Sequence, residues 1–406
     1  MKEELLERFL RYAKVYTPSD AKSETSPSTV WQFDLARMLE EEMEQMGVRD
    51  VYVDDNCYVY GCIPASEGCE KAPSIGLIAH MDTVSDFCTK PVTPLVHEDY
   101  NGGDITLSAG GITIRVEDFP HLKNMKGRTL ITSDGTTILG ADDKAGVAVI
   151  MTLAGQLLKK EIPHGRICIA FTPDEEIGAG AELLDLQRLG ADFAYTLDGD
   201  LEGGMEYETF NAAAAKISIK GVNVHPGSAK GIMVNAAAVA CELQGMLPAN
   251  EQPAYTEGYE GFYHLTHICG EVEKAQLHYI IRDHDREKFE ERKQRVRSVC
   301  DQLNEKYGEG TVLYEISDTY YNMSEILKDH MHLVEQARKA IAQAGLEPVI
   351  KPVRGGTDGA RLSFRGLPCP NLGTGGAGFH GPYEHVSLEG MELAVQVLLH
   401  LVSSYT

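Results

Sequence analysis

The chain has 406 residues, 43% of them hydrophobic, and carries a formal charge of −24 with a pI near 5.0. That length can bury a large core and accommodate two domains. The acidity argues against nucleic acid or an anionic membrane as partner, since both repel a strongly acidic surface. Nine cysteines form no CxxC pair; Cys57, Cys62 and Cys69 come closest to a cluster, with no second pair to complete it. The expectation is reduced thiols in a cytoplasmic protein. The opening MKEELLERFLRYAKVY is charged and amphipathic, without the apolar core of a signal peptide. No stretch reaches the roughly 18 apolar residues of a membrane span.

Residues 4–15 place Leu5, Phe9, Leu10 and Ala13 on one helical face. A second helix is predicted over 29–47, with Phe33, Leu35, Met38 and Leu39 as its stripe and Gly47 as its stop. VYV at 51 and CYVYGCI at 57 alternate like paired strands. SIGLIAH is a short continuous apolar run, the pattern of a buried strand, and it ends at His80. Residues 85–139 are rich in Gly, Pro and Thr and read as loops and small strands. A helix starts at Asp143 and runs through AGVAVIMTLAGQLLKK. Two buried strands follow, GRICIAFTP leading to Glu175 and Glu176, and FAYTLDG leading to Asp198. This rhythm predicts an α/β fold with parallel strand pairs.

Near residue 210 the pattern changes. AKISIK, a helix over 232–246, the strands FYHLTHICG and KAQLHYIIRD, a charged helix over 285–307 and TVLYEISDTY give β-α-β-β-α-β, the ferredoxin-like order. A helix at 327–345, a strand near 348–352, the Gly-rich turn RGGTDGA and a last helix at 387–402 follow. The prediction is a large mixed-sheet α/β domain over 1–209 and 324–406, interrupted by a small ferredoxin-like domain over 210–323.

Four chemically capable side chains stand just beyond apolar runs or their turns: His80 in LIAHMD, Asp142 in LGADDKAG, Glu176 in FTPDEEIG and Asp198 in YTLDGD. A fifth, His380, stands in GFHG. Open α/β folds hold ligands at the carboxyl ends of their strands, so these residues predict a metal site. Imidazole together with carboxylate suits zinc, manganese or cobalt. One carboxylate can give an oxygen to each of two ions. With Asp142 as that bridge, His80 and Asp198 complete one site, and Glu176 and His380 the other. Each site keeps an open position, and such a pair polarises a carbonyl and acidifies water. Asp82, two residues beyond His80, shares its strand face and can accept a hydrogen bond from the imidazole. Glu175 adjoins Glu176 but points elsewhere, and is the natural general base. Each motif alone is weak, because HMD, DEE and LDGD occur as surface pairs and turns, and DD as a helix N-cap. Their co-occurrence in order carries the reading. His97 and His164 are taken as surface residues.

Longer strings narrow it further. HMDT, LGADDKAGVA, FTPDEEIGAGA, TLDG, KGVNVHPGSAKGIMVNA, HYIIRDHD, RGGTDGARLSF and TGGAGFHGPYEHVSLEGM resemble the two-zinc metallopeptidases that include carboxypeptidase G-type enzymes, aminoacylases and succinyl-diaminopimelate desuccinylase. Within that family they are most similar to the bacterial tripeptide aminopeptidases, over nearly the whole length. The resemblance implies that His80, Asp142, Glu176, Asp198 and His380 hold two Zn2+, for which Mn2+ or Co2+ can substitute. It also implies a cis peptide bond between Asp142 and Asp143. One segment departs from the pattern: HGPYEHV stands where HGKHEF is expected, which makes His385 a rival of His380. The resemblance further implies that His225, in NVHPGSAKG, donates to the oxyanion of the tetrahedral intermediate when the domains close. Arg282 in IIRD and Arg354 beside two glycines are candidates for a substrate carboxylate, which a guanidinium fork matches. Asn235 is a candidate for one more substrate hydrogen bond.

The resulting expectation is a cytoplasmic two-zinc aminopeptidase that removes the N-terminal residue of tripeptides. Its partners are short peptides, with a homodimer left open and with neither nucleic acid nor membrane. A carboxypeptidase or N-acyl amide hydrolase would use the same metals. A silent peptide-binding protein is the reading from another class, and the presence of Glu175 with all five ligand candidates argues against it.

Overall fold

In the computed structural model, which describes residues 1–109, 111–160 and 162–406, the chain divides into two compact units. The first comprises Met1–Tyr207, Ile326–Lys351 and Thr357–Thr406, and the second Glu208–Glu325 and Pro352–Gly356.

The first unit is built on an eight-stranded mixed sheet. Four neighbouring strands run parallel: Ile167–Thr172, Ile75–His80, Phe193–Gly199 and Asn371–Gly373. Val59–Ile63 and then Arg49–Val53 extend one side antiparallel; Gly204–Glu206 and Val349–Ile350 extend the other. Ile75–His80 and Ile167–Thr172 are buried at every position, which is why they read as continuous apolar runs. The helix Ala141–Lys159 packs against Ile75–His80, Phe193–Gly199 and the helices Lys2–Ala13 and Leu388–Ser403. Nearly every residue of that helix up to Leu157 is buried, so it is apolar all round rather than on one stripe. Its first residues, Asp142 and Asp143, are non-helical, and the peptide bond between them is cis, as the resemblance implies. A smaller antiparallel sheet, in the order Gly376–Ala377, His385–Ser387, Leu130–Thr132 and Leu95–His97, organises much of the segment read as loops and small strands. No helix among the described residues is long and apolar enough to cross a membrane.

The second unit has the predicted order of strands and helices. Its sheet runs Phe262–Gly270, Lys274–Asp283, Asn211–Lys220, Val312–Tyr320, antiparallel throughout. Alternate residues Ala213, Ala215, Ile217 and Ile219 join Leu277, Tyr279 and Ile281 in a core with Leu243, Phe289 and Val296. Those last three come from the helices Ala236–Met246 and Arg286–Tyr307.

Four segments differ from expectation. Pro352–Gly356 packs with the second unit instead of resuming the first: Val353 bridges to Thr209, and the Arg354 guanidinium donates to the carbonyls of Gly258, Glu260 and Thr256. The Gly-rich turn opens a helix, Asp358–Phe364, because Thr357 caps it by accepting from the Ala360 N–H. The second predicted helix begins at Gln32, and the one at 327–345 opens with a 3-10 turn, Lys328–His330, before Met331–Gln343.

The Ala141–Lys159 helix approaches the sheet closely at Gly146. A Cβ added there would stand 2.0 Å from the Leu197 carbonyl oxygen and 2.4 Å from Asp143 Oδ1. Gly146→Ala is therefore expected to destabilise by about 1–3 kcal/mol through overpacking. The measurement is the urea midpoint at unchanged slope; a wild-type midpoint would mean the helix can move off the sheet without cost.

Candidate metal centre

The parallel strands deliver their carboxyl ends to one edge of the sheet. His80 ends Ile75–His80, Asp198 lies at the end of Phe193–Gly199, and Glu175 and Glu176 form the turn after Ile167–Thr172. Asp142 comes from the start of its helix. The two oxygens of Asp142 face different imidazoles: Oδ1 lies 2.9 Å from His80 Nε2, and Oδ2 lies 3.1 Å from His380 Nε2. His80 Nε2 is also 3.5 Å from Asp198 Oδ1, and His380 Nε2 is 3.2 Å from Glu176 Oε2. Glu175 sits on the His80 and Asp198 side, where the three offer donor atoms within 4.8 Å of one another; His80, Asp142 and Glu176 do the same. The structure thus brings together His80, Asp142, Glu175, Glu176, Asp198 and His380. It does not bring His385 with them: that ring is buried, with Nδ1 2.8 Å from the Tyr383 carbonyl and Nε2 2.8 Å from His121 Nε2.

A second set of side chains holds the backbone of these residues. The His80 N–H donates to Asp143 Oδ2 at 3.1 Å, and the Asp142 N–H to Glu384 Oε1 at 3.0 Å. The N–H groups of Glu175 and Glu176 donate to the two oxygens of Asp82, at 2.9 and 3.2 Å. The Asp198 N–H donates to Asn371 Oδ1 at 3.0 Å, and Asn371 Nδ2 donates in turn to Glu206. Asp82 therefore does more than the sequence implied. Its Oδ1 lies 3.4 Å from His80 Nδ1, but the nearer neighbour of that nitrogen is the Asp82 carbonyl oxygen at 3.0 Å. Asp143, Glu384 and Asn371 were not anticipated. The only trace of Glu384 in the sequence is an acid in a Gly-rich segment after His380.

The electrostatics follow from packing acids together. Burial first, then the Asp198 charge, pushes Glu175 and Asp143 well above the usual carboxylate range. Burial and the Asp142 charge do the same to Asp198. Burial also opposes ionisation of Asp142, but hydrogen bonds from His380 and His80 overcome it and hold that carboxyl low. Divalent cations relieve such repulsion, and the donor set of imidazoles and carboxylates around a divergent Asp142 fits two of them.

The remaining candidates lie elsewhere in the chain. His225 is exposed in the second unit, and its Nδ1 accepts from the Gly227 N–H at 3.1 Å. Asn235 caps Ala236–Met246, with Oδ1 accepting from the Ala238 N–H, so that oxygen is committed to the helix. Arg354 has both terminal nitrogens engaged by the carbonyls named above and by Thr256 Oγ1, because its turn is the one that packs with the second unit. Arg282 donates from Nη1 to the Arg354 carbonyl at 2.9 Å, while its buried Nε makes no hydrogen bond. His164, taken for a surface residue, is buried with Nδ1 2.7 Å from the Gly165 carbonyl.

The sequence model of peptidase family M20/M25/M40 matches residues 135–404. The chain belongs to that family. Peptidase T of Geobacillus kaustophilus (strain HTA426) is 52% identical over 407 residues, covering 100% of this chain and 99% of that one. A solved tripeptidase from Staphylococcus aureus subsp. aureus Mu50 superposes with a TM-score of 0.80 at 22% identity, covering 100% of this chain and 98% of that one. Aminopeptidase PepT from Bacillus cereus ATCC 10987 gives 0.78 at 22%, covering 100% and 99%. At those identities the two structures speak for the fold, and the family makes the chain a peptide hydrolase.

The two histidines of the tail segment of this M20 peptidase separate cleanly by experiment. His380→Ala is expected to lose one of two bound metal equivalents, and His385→Ala to keep both while losing about 1–3 kcal/mol of stability from a buried polar site. Metal content by atomic emission after gel filtration reads the first, and thermal unfolding the second. Loss of metal in His385→Ala alone would reverse the assignment.

Proposed function

We propose that this protein is a two-zinc aminopeptidase that removes the N-terminal residue from tripeptides. The observation that carries the reading is the divergent Asp142 carboxylate, one oxygen toward His80 and the other toward His380. Full-length similarity to a relative named peptidase T supports it. In this proposal His80, Asp198 and Asp142 would hold one ion, and Glu176, His380 and Asp142 would hold the other. When bound, the pair supplies Lewis acidity, polarising a peptide carbonyl and lowering the pKa of water. Glu175 takes a proton from the attacking water and delivers it to the leaving amine. Burial beside Asp198 raises its proton affinity, which suits a group that must accept and then return a proton. Asp82 is a positioning residue that holds the backbone of both glutamates.

In the second unit, His225 is the proposed donor to the oxyanion. Arg282 is the proposed partner of the substrate carboxylate, supported by its unpaired Nε and by the full occupation of the Arg354 terminal nitrogens. Asn235 could still offer its amide nitrogen to substrate. A cytoplasmic location belongs to the same proposal, as nine free cysteines suit a reducing compartment, and a homodimer remains compatible with it.

A panel of di-, tri- and tetrapeptides, free or blocked at either end, tests the reading with zinc present. Release of the first residue from free tripeptides is expected. Cleavage confined to C-terminal residues or to acylated amines would replace it with a carboxypeptidase or amide hydrolase.

Glu175→Gln should keep both metals, because a neutral amide of similar size leaves the ligand set intact, yet lower kcat by about 10²–10⁴-fold. Full activity at full metal content would remove Glu175 from proton transfer. Arg282→Ala should lower kcat/KM for free tripeptides by about two decades, since losing a desolvated carboxylate partner costs about 2–5 kcal/mol. Tripeptide C-terminal amides should be little affected. A mutant that still prefers free tripeptides over their amides would acquit Arg282.

A further inference from the structure

One buried carboxylate ties the loops of the metal centre together without entering the chemistry proposed above. Glu384 is 1% exposed. Its Oε2 accepts from the N–H groups of Leu139 and Gly140, both at 2.8 Å, and its Oε1 accepts from the Asp142 N–H at 3.0 Å. Four residues earlier in the same loop, His380 Nε2 meets Asp142 Oδ2 at 3.1 Å. The 380–384 segment therefore grips Asp142 twice, through its side chain and through the backbone that leads to it. A carboxylate is acceptor-only, with room for several donors, and no other side chain of this length satisfies three converging N–H groups. Glutamine would bring an NH2 against donors, and an apolar residue would leave buried N–H groups unpaired.

We propose that Glu384 is a positioning residue for the bridging carboxylate: it fixes the 139–142 turn so that Asp142 Oδ1 faces His80 while Oδ2 faces His380. The proposal rests on the ligand roles given above to Asp142 and His380. Its donors are not scattered through the fold. They are three of the four residues that end at Asp142, and the fourth, Ala141, lies between them. A residue serving only general stability has no reason to concentrate its hydrogen bonds there.

The test uses the full chain, first stripped of metal and then titrated with Zn2+ in a calorimeter. Glu384→Gln should bind its second equivalent roughly 10–100-fold more weakly than wild type, the usual effect of losing a partner behind the ligands. In the metal-free protein, hydrogen exchange at the amides of Leu139, Gly140 and Asp142 should accelerate, while exchange in the Asn211–Lys220 strand stays unchanged. Two equivalents bound with wild-type affinity and unmoved exchange at 139–142 would overturn the proposal. So would a fall in melting temperature alone, which would make Glu384 a fold residue. If Glu384→Gln does not fold, Glu384→Asp carries the same test, since it keeps the charge and retracts it by one methylene. Asp142→Asn run in parallel separates the two ideas. If Asp142→Asn keeps both equivalents, the ligand assignment fails; if it loses one while Glu384→Gln does not, only the positioning role fails.

Discussion

The geometry of this sheet edge depends on backbone N–H groups that the strand ladder can no longer satisfy. A parallel strand that ends at a ligand candidate leaves the next amides without a neighbour, and buried amides must find an acceptor. Here Asp143, Asp82, Asn371 and Glu384 supply it, each to a residue that carries the cluster. Three of those four acceptors are themselves acids. They fix the positions of the ligand candidates and place further carboxyl groups behind acids that already crowd one another. Burial and mutual repulsion raise Glu175, Asp198 and Asp143 together. Precision and crowding of acids thus come from the same residues, and a pair of dications answers both at once.

The part of this arrangement visible in the sequence is the part encoded locally. Apolar runs stop at His80 and before Glu175 and Asp198 because buried parallel strands are apolar on both faces and must end in a polar turn. The alternation of AKISIK, within Asn211–Lys220, marked a half-covered strand for the same kind of reason. The holding residues left no such trace. Asn371 meets Asp198 from 173 positions away and Glu384 meets Asp142 from 242, so no periodicity links them. Even Asp82, chosen for its spacing from His80, finds its main partners 93 and 94 residues on.

The two arginines show the same limit from the other side. Both read as carboxylate candidates, since a guanidinium near a strand end or beside glycines is chemically suited to one. Only tertiary structure reveals that the Arg354 turn packs with the second unit and gives its terminal nitrogens to carbonyl oxygens. Its ring neighbours Phe210 and Phe262, at 5.1 and 5.6 Å, complete a structural role. Sequence chemistry names what a side chain can do; the competing partners in the fold decide how much of that capacity remains.

Adjacent glutamates face different neighbours for a geometric reason. Glu175–Ile177 is a 3-10 turn, in which successive side chains are rotated by about 120°. Glu175 accordingly faces His80 and Asp198, and Glu176 faces His380. That division requires the turn to start at the right angle. Asp174 sets it from the left-handed region, at φ 58°, which an aspartate tolerates better than most residues. Its carboxylate accepts from the Ser28 N–H at 2.7 Å and from Gln32 Nε2 at 2.6 Å, and its own N–H donates to Gln32 Oε1. The direction of the proposed base is therefore anchored by the start of the helix Gln32–Met46, about 140 residues earlier in the chain. A change at Ser28 or Gln32 reaches Glu175 and Glu176 through one carboxylate, without touching either of them.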